Sequence, residues 1–168
     1  APTAGDEGVR TAWLEAILKK NPSIDRATVT LPVVVPGLTA GINYMADLFI
    51  GEDQTLLTCD PSWDNYILIV QDRHGATMRK VPFFKEGENR LDLEAMEAAF
   101  RDEAKKGSLR VILNFPQNPT GYSPTKDEAA KLIAILSDIA DSGVPTLVLC
   151  DDAYFGLAYE PEIFGESL

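Results

Sequence analysis

The sequence predicts an α/β fold of three layers: a mostly parallel sheet covered by helices on both faces. Three observations lead there. Apolar residues repeat at helical spacing in some segments and form short continuous runs in others, and the two kinds alternate along the chain. Several runs are apolar throughout, as strands buried on both faces are. At 168 residues, with 45% hydrophobic and 24% charged side chains, the chain has a globular composition and enough length to bury a core. Such alternation builds right-handed crossovers.

The elements follow in order. Val9, Trp13, Ala16 and Ile17 line one helical face, which ends before Asn21-Pro22 with Lys19 and Lys20 in the last turn. Leu31 to Val35 is a β-branched run, predicted as the first strand and closed by Pro36-Gly37. Leu38, Ile42, Met45 and Phe49 return to helical spacing. Thr55 to Cys59 is a strand closed by Asp60-Pro61, and Trp63, Tyr66, Ile67 and Val70 define a helix ended by Gly75. Thr77 to Phe83 is a strand, and Leu93, Met96 and Phe100 mark a helix with Asp92 as its N-cap. Leu109 to Asn114 is a strand. Ser123 as N-cap and Pro124 at the first helical position begin a helix faced by Ala129, Leu132, Ile133, Leu136 and Ile139. Thr146 to Cys150 is a buried strand.

Charge and cysteine content exclude several function classes. The net charge of −11 argues against nucleic acid and anionic membrane surfaces, which need clustered Lys and Arg. Ala27 to Ala46 has 20 uncharged residues, but Pro32, Pro36, Gly37, Gly41 and Asn43 break it into strand, turn and helix rather than a membrane span. Cys59 and Cys150 lie far apart without a CxxC, so neither a disulfide framework nor a metal site is expected, and a reducing cytoplasm is the default. His74 is the only histidine and sits at a helix end beside Gly75, so triad chemistry has no support. The chain opens at Ala1 without Met, and APTAGDEG reads as the middle of a longer protein.

In an open parallel sheet, ligands bind beyond the C-terminal strand ends. Four segments fall there: Pro36 to Gly41, Asp60 to Tyr66, Asn114 to Gly121, and Asp151 to Tyr154. The Gly37 turn opens a helix, whose N-terminal N–H groups suit a phosphate, and Thr39 adds a hydroxyl. Trp63 offers a flat ring to a planar ligand, and Asn118 a carboxamide off a strand end. Asp151 ends an apolar strand, where a carboxylate needs a cationic or hydrogen-bonding partner. Asp152 points to the opposite face, so the two are no glycosidase pair. Together these are fittings for a phosphorylated, planar, basic heterocycle, and pyridoxal phosphate matches on every count.

The sequence resembles the class I/II aminotransferases, the fold type I pyridoxal-phosphate enzymes. The resemblance runs from Ala1-Pro2-Thr3-Ala4-Gly5 through Val9-Arg10 to Asp151-Asp152-Ala153-Tyr154-Phe155-Gly156. It rests on Asp60-Pro61-Ser62-Trp63-Asp64-Asn65, Asn118-Pro119-Thr120-Gly121 and the Asp-x-Ala-Tyr run, in that order. It implies that Thr39, with the backbone of Gly37 and Leu38, holds the phosphate of pyridoxal 5′-phosphate. It implies that Trp63 stacks on the ring, Asp151 pairs with the ring nitrogen, and Tyr154 and Asn118 bond the 3′ oxygen. Asn118 and Trp63 would also lie by the substrate. The peptides before Pro61 and Pro119 are cis in similar enzymes. At one phosphate-loop position the family often has Gly or Ser where this chain has Leu38.

The resemblance also implies what is missing. The family's catalytic lysine, which forms the Schiff base with the cofactor, lies in a motif that no lysine of this sequence matches, so it is expected beyond Leu168. The chain reads as 1–168 of an incomplete, aminotransferase-like large domain, lacking the lysine region, the C-terminal small domain and the N-terminal arm. The full enzyme would be a cytoplasmic homodimer moving an amino group between an amino acid and a 2-oxo acid. The 168 residues alone would be inactive. Leu31 to Val35 would lack its neighbouring strands, leaving the chain marginal or pairing its edges with a second copy. Three other readings stand beside this one: a fold type I lyase or decarboxylase, the sensor domain of a transcriptional regulator, and a generic phosphate-binding doubly wound module.

Overall fold

A computed structural model describes residues 2–168. The sheet has four strands, all parallel: β1 (Thr55–Asp60), β2 (Thr77–Pro82), β3 (Leu109–Asn114) and β4 (Thr146–Asp151), in the spatial order β2-β1-β3-β4. Helices connect and cover them: α1 (Glu7–Lys20), α2 (Leu38–Phe49), α3 (Asn65–Ile67, running into a π-helical turn over Leu68–Arg73), α4 (Leu93–Ala104) and α5 (Lys126–Asp141).

Strand side chains alternate between two cores. Leu57, Cys59, Val111 and Leu113 point to one face, where Met96 and Phe100 of α4 and Leu132, Leu136 and Ile139 of α5 cover them. Leu56 and Ile112 point to the other, against Ile42 and Ala46 of α2 and Tyr66, Ile69 and Val70 of the α3 segment. Both sets being apolar is what makes these strands read as unbroken runs. The three layers expected from the sequence are therefore present, with α4 and α5 on one side and α2 and α3 on the other.

Four expectations are corrected. Leu31 to Val35 is not a strand. Its bonds run to the N-terminal segment: the Val34 N–H donates to Ala4 O (3.0 Å), and Arg10 Nε donates to Pro32 O (2.5 Å). β-branched residues favour extended backbone, but a strand needs a ladder partner, and no described residue supplies one.

On α1 the expected face is turned outward. Trp13 and Val9 are 64% and 56% exposed, and Leu14 is the buried residue. Apolar side chains at 12, 13, 14, 16, 17 and 18 run right round this helix, so its period selects no face.

The α5 N-cap is Thr125 rather than Ser123. The Glu128 N–H donates to Thr125 Oγ1 (3.2 Å) and the Thr125 N–H to Glu128 Oε2 (2.8 Å), a reciprocal box. Three residues after Ser123 stands Lys126, which cannot return that bond.

In the α3 segment Ile69, not Ile67, joins Tyr66 and Val70 in the core, because residues three and four after Tyr66 share its face whereas Ile67 is turned about 100° away.

Candidate functional site

The C-terminal ends of β1, β3 and β4 and the N-terminus of α2 meet around one cavity of about 250 Å³. Leu38, Thr39, Trp63, Asn118, Asp151 and Tyr154 line it, six of the seven residues singled out from sequence. Gly37, the seventh, lies just outside the lining as the N-cap of α2. Its φ of 95° and ψ of 164° belong to a region open essentially to glycine alone. A Cβ there would meet nothing within 4 Å, so the backbone angle and not crowding demands the glycine.

α2 begins at Leu38, and its first N–H groups have no partner within the helix. They open onto the cavity with the positive end of the helix dipole, and Thr39 brings its hydroxyl to the same mouth. Trp63, half-buried, lines the same cavity.

Asp151, the last residue of β4, is 3% exposed. Oδ1 accepts the Ala153 N–H (3.1 Å), and Oδ2 accepts the Tyr66 hydroxyl. Both donors are neutral, and no described lysine, arginine or histidine pairs with this carboxylate. A buried carboxylate held only by neutral donors has its hydrogen bonds but lacks a countercharge. Asp152 is absent from the lining and accepts the Ser167 hydroxyl (2.7 Å). Burial first, then the neighbouring Asp151 charge, raise its carboxyl above the usual range, against the Ser167 bond.

A hydrogen-bond lattice fixes these loops. Asn114 Nδ2 donates to the Asp151 carbonyl (2.7 Å), and Asn114 Oδ1 accepts the Asn118 N–H (2.7 Å). Gln117 Nε2 donates to Pro61 O (2.7 Å), while its Oε1 accepts from the Thr120 N–H (2.9 Å) and hydroxyl (2.6 Å). The peptides before Pro61 and Pro119 are cis, as the resemblance implies, and so is the one before Pro116, which the sequence reading did not include.

Three further residues line the cavity: Tyr66, Asn114 and Ala153. Asn114 was legible as the last residue of its strand. Tyr66 fitted a core helical face, and nothing in its spacing signals a bond to Asp151. Its hydroxyl pKa is raised by burial first, then by the bond to Asp151 and that carboxylate's charge, so it remains a donor. His74 lies outside the lining, with Nδ1 3.6 Å from Asp47 and Nε2 3.4 Å from Asn43. Among the described residues no helix is long and apolar enough to cross a membrane, and no cluster of His, Cys, Asp and Glu could hold a metal.

Comparison with known proteins bears directly on these loops. The chain is 29% identical to the aromatic-amino-acid aminotransferase of Paracoccus denitrificans over 145 residues, which cover 84% of this chain and 34% of that protein. Its fold matches the aminotransferase of Anaerococcus prevotii with a TM-score of 0.82 at 21% identity, over 92% of this chain and 37% of the other. It also matches the PLP-bound C-S lyase of Staphylococcus hominis, with a TM-score of 0.66 at 16% identity, over 89% of this chain and 36% of that one. The chain thus spans about a third of the length of the relatives it matches. The model of the family "Aminotransferase class I and II" matches residues 1–167, so this chain belongs to that family.

Proposed function

We propose that these residues form the cofactor-holding part of an aminotransferase large domain, and that the cavity takes pyridoxal 5′-phosphate. The observation that carries this reading is the buried Asp151 carboxylate without a countercharge, facing the same cavity as a helix N-terminus. A ligand suited to both carries a cation at one end and an anion at the other. The protonated pyridine nitrogen and the phosphate of this cofactor meet that demand, so the residues fit the group.

Each residue then has a role. The Leu38 and Thr39 N–H groups and the Thr39 hydroxyl bind the phosphate, with Gly37 supplying the turn. Trp63 stacks on the ring. Asp151 keeps the ring nitrogen protonated, and Asn118 and Tyr154 donate to the 3′ oxygen. Asn118 and Trp63 also border the space for the substrate carboxylate. The bound cofactor supplies an electron sink and a carrier for the amino group. In this reading these residues have a holding role, and the family's Schiff-base lysine is not among them. The whole protein would transfer an amino group between an amino acid and a 2-oxo acid as a homodimer. A cytoplasmic location goes with its free thiols, Cys59 and Cys150.

A second reading keeps the cofactor and changes the reaction to elimination, in line with the lyase that shares this fold. Product analysis of the whole protein separates the two: an aminated partner for transfer, a free amine or thiol for lysis.

The cofactor reading is tested by equilibrium dialysis against pyridoxal phosphate, pyridoxal and inorganic phosphate. We expect saturable one-to-one binding of pyridoxal phosphate. Pyridoxal should bind at least about tenfold more weakly, since a charge-assisted hydrogen bond is worth roughly 1.5–3 kcal/mol. Equal affinity with and without the phosphate would contradict the cradle.

A further inference from the structure

Tyr66 touches two of the groups assigned above. Its hydroxyl donates to Asp151 Oδ2, and its ring meets the Trp63 ring edge-on, with centroids 5.4 Å apart and planes at 90°. It is 1% exposed and packed among Ile42, Ile69 and Val70, so neither contact can drift. One rigid side chain thus spans from the carboxylate to the aromatic plate.

We infer that Tyr66 is a positioning residue: it fixes the Asp151 carboxylate relative to the Trp63 plate, so that the cavity selects a flat ring bearing a protonated nitrogen. The inference rests on the cofactor reading above and adds to it a determinant of ring chemistry.

The physical reason lies in the donor's neutrality. A cationic donor at this place would satisfy the hydrogen bond and cancel the charge. A phenol satisfies the hydrogen bond and leaves the charge for the ligand. Burial and the adjacent carboxylate both oppose loss of the phenol's proton, which keeps it a donor. Without the hydroxyl, Oδ2 would lose its one side-chain donor, and nothing would hold the carboxylate at a fixed place in the cavity. A carboxylate no longer held in the plane set by the Trp63 plate distinguishes a ring N–H cation from a ring C–H poorly. The edge-on contact acts separately, by holding the Trp63 plane.

The test uses two ligands and two variants. The ligands are pyridoxal phosphate and its analogue with the ring nitrogen replaced by carbon. Tyr66→Phe keeps the edge-on ring and removes the hydroxyl, and Tyr66→Leu removes both. Dissociation constants come from equilibrium dialysis.

We expect the unsubstituted chain to prefer pyridoxal phosphate over the analogue by at least about tenfold, and Tyr66→Phe to lose most of that preference while binding the analogue within about twofold of the original. Tyr66→Leu should weaken both ligands. The preference is a ratio, so a variant that is partly unfolded lowers both affinities and leaves the ratio readable. Tyr66→Phe with an undiminished ratio overturns this inference and leaves the cofactor reading standing. No saturable binding of pyridoxal phosphate to the unsubstituted chain overturns both.

Discussion

Replacing Asp151 by alanine should lower the affinity for pyridoxal phosphate at least about 100-fold, because losing one partner of a buried charge pair costs roughly 3–5 kcal/mol. The size follows from the burial of this carboxylate and its lack of any described cation. The carboxylate accepts the Tyr66 hydroxyl and the Ala153 N–H, and in the proposed reading the ring nitrogen would supply its cation. Alanine leaves both donors unpaired, at about 1–3 kcal/mol of stability each. Asp151→Asn separates the two effects. It keeps an acceptor for one donor and loses the charge, so stability should fall less while affinity falls almost as far. Isothermal titration of both variants, alongside urea unfolding, measures the two quantities independently. Affinity within about threefold of the original in Asp151→Asn would show that the charge is not used.

Phe83→Ala should destabilise the chain by about 3–5 kcal/mol, the cost of emptying a large core site. Phe83 is 1% exposed, just past the end of β2. Its ring lies edge-on to Phe84 (centroids 4.7 Å) and to Tyr122 (5.7 Å), and 6.1 Å from Phe115. Phe115 and Tyr122 bracket the loop that carries Asn118, so a cavity here removes support from beneath the site as well as from the core. A lower urea midpoint at unchanged slope, or loss of the cooperative transition, is the expected result. A loss of under about 1 kcal/mol would mean that the aromatic cluster repacks freely, contrary to interior packing densities.

Legibility in the sequence tracked how local each cause is. β1, β3, β4 and α4 were readable because an apolar run and its stop signal lie within a few residues of each other. Asp92 caps α4 as its spacing suggests, its side chain accepting the Ala95 N–H (3.0 Å). Leu31 to Val35 failed for the opposite reason: strand propensity is local, but a ladder needs a distant partner. α1 failed because its apolar residues encircle the helix. The α5 cap was recoverable, since Thr125 stands three residues before Glu128 and completes a box that Ser123 cannot.

The same distinction holds at the site. The strand-end rule picked out the segments that carry Trp63, Asn118, Asp151 and Tyr154, while Gly37, Leu38 and Thr39 reach the cavity from the start of α2 and not from the end of a strand. Tyr66 was hidden because a buried aromatic at helical spacing has the same signature whether its hydroxyl is bonded or not. Its bond to Asp151 joins residues 85 positions apart. Only the folded sheet, placing β4 beside β3 and β1 beside β3, brings that pair together.

The central claim is that this cavity pairs Asp151 with the ring nitrogen of pyridoxal phosphate. The most direct measurement is the ¹⁵N chemical shift of ring-labelled cofactor bound to the protein. The predicted result is a protonated, pyridinium-type shift in the unsubstituted protein that moves to the unprotonated position in Asp151→Ala. Tight binding with an unprotonated ring nitrogen in the unsubstituted protein would contradict the claim.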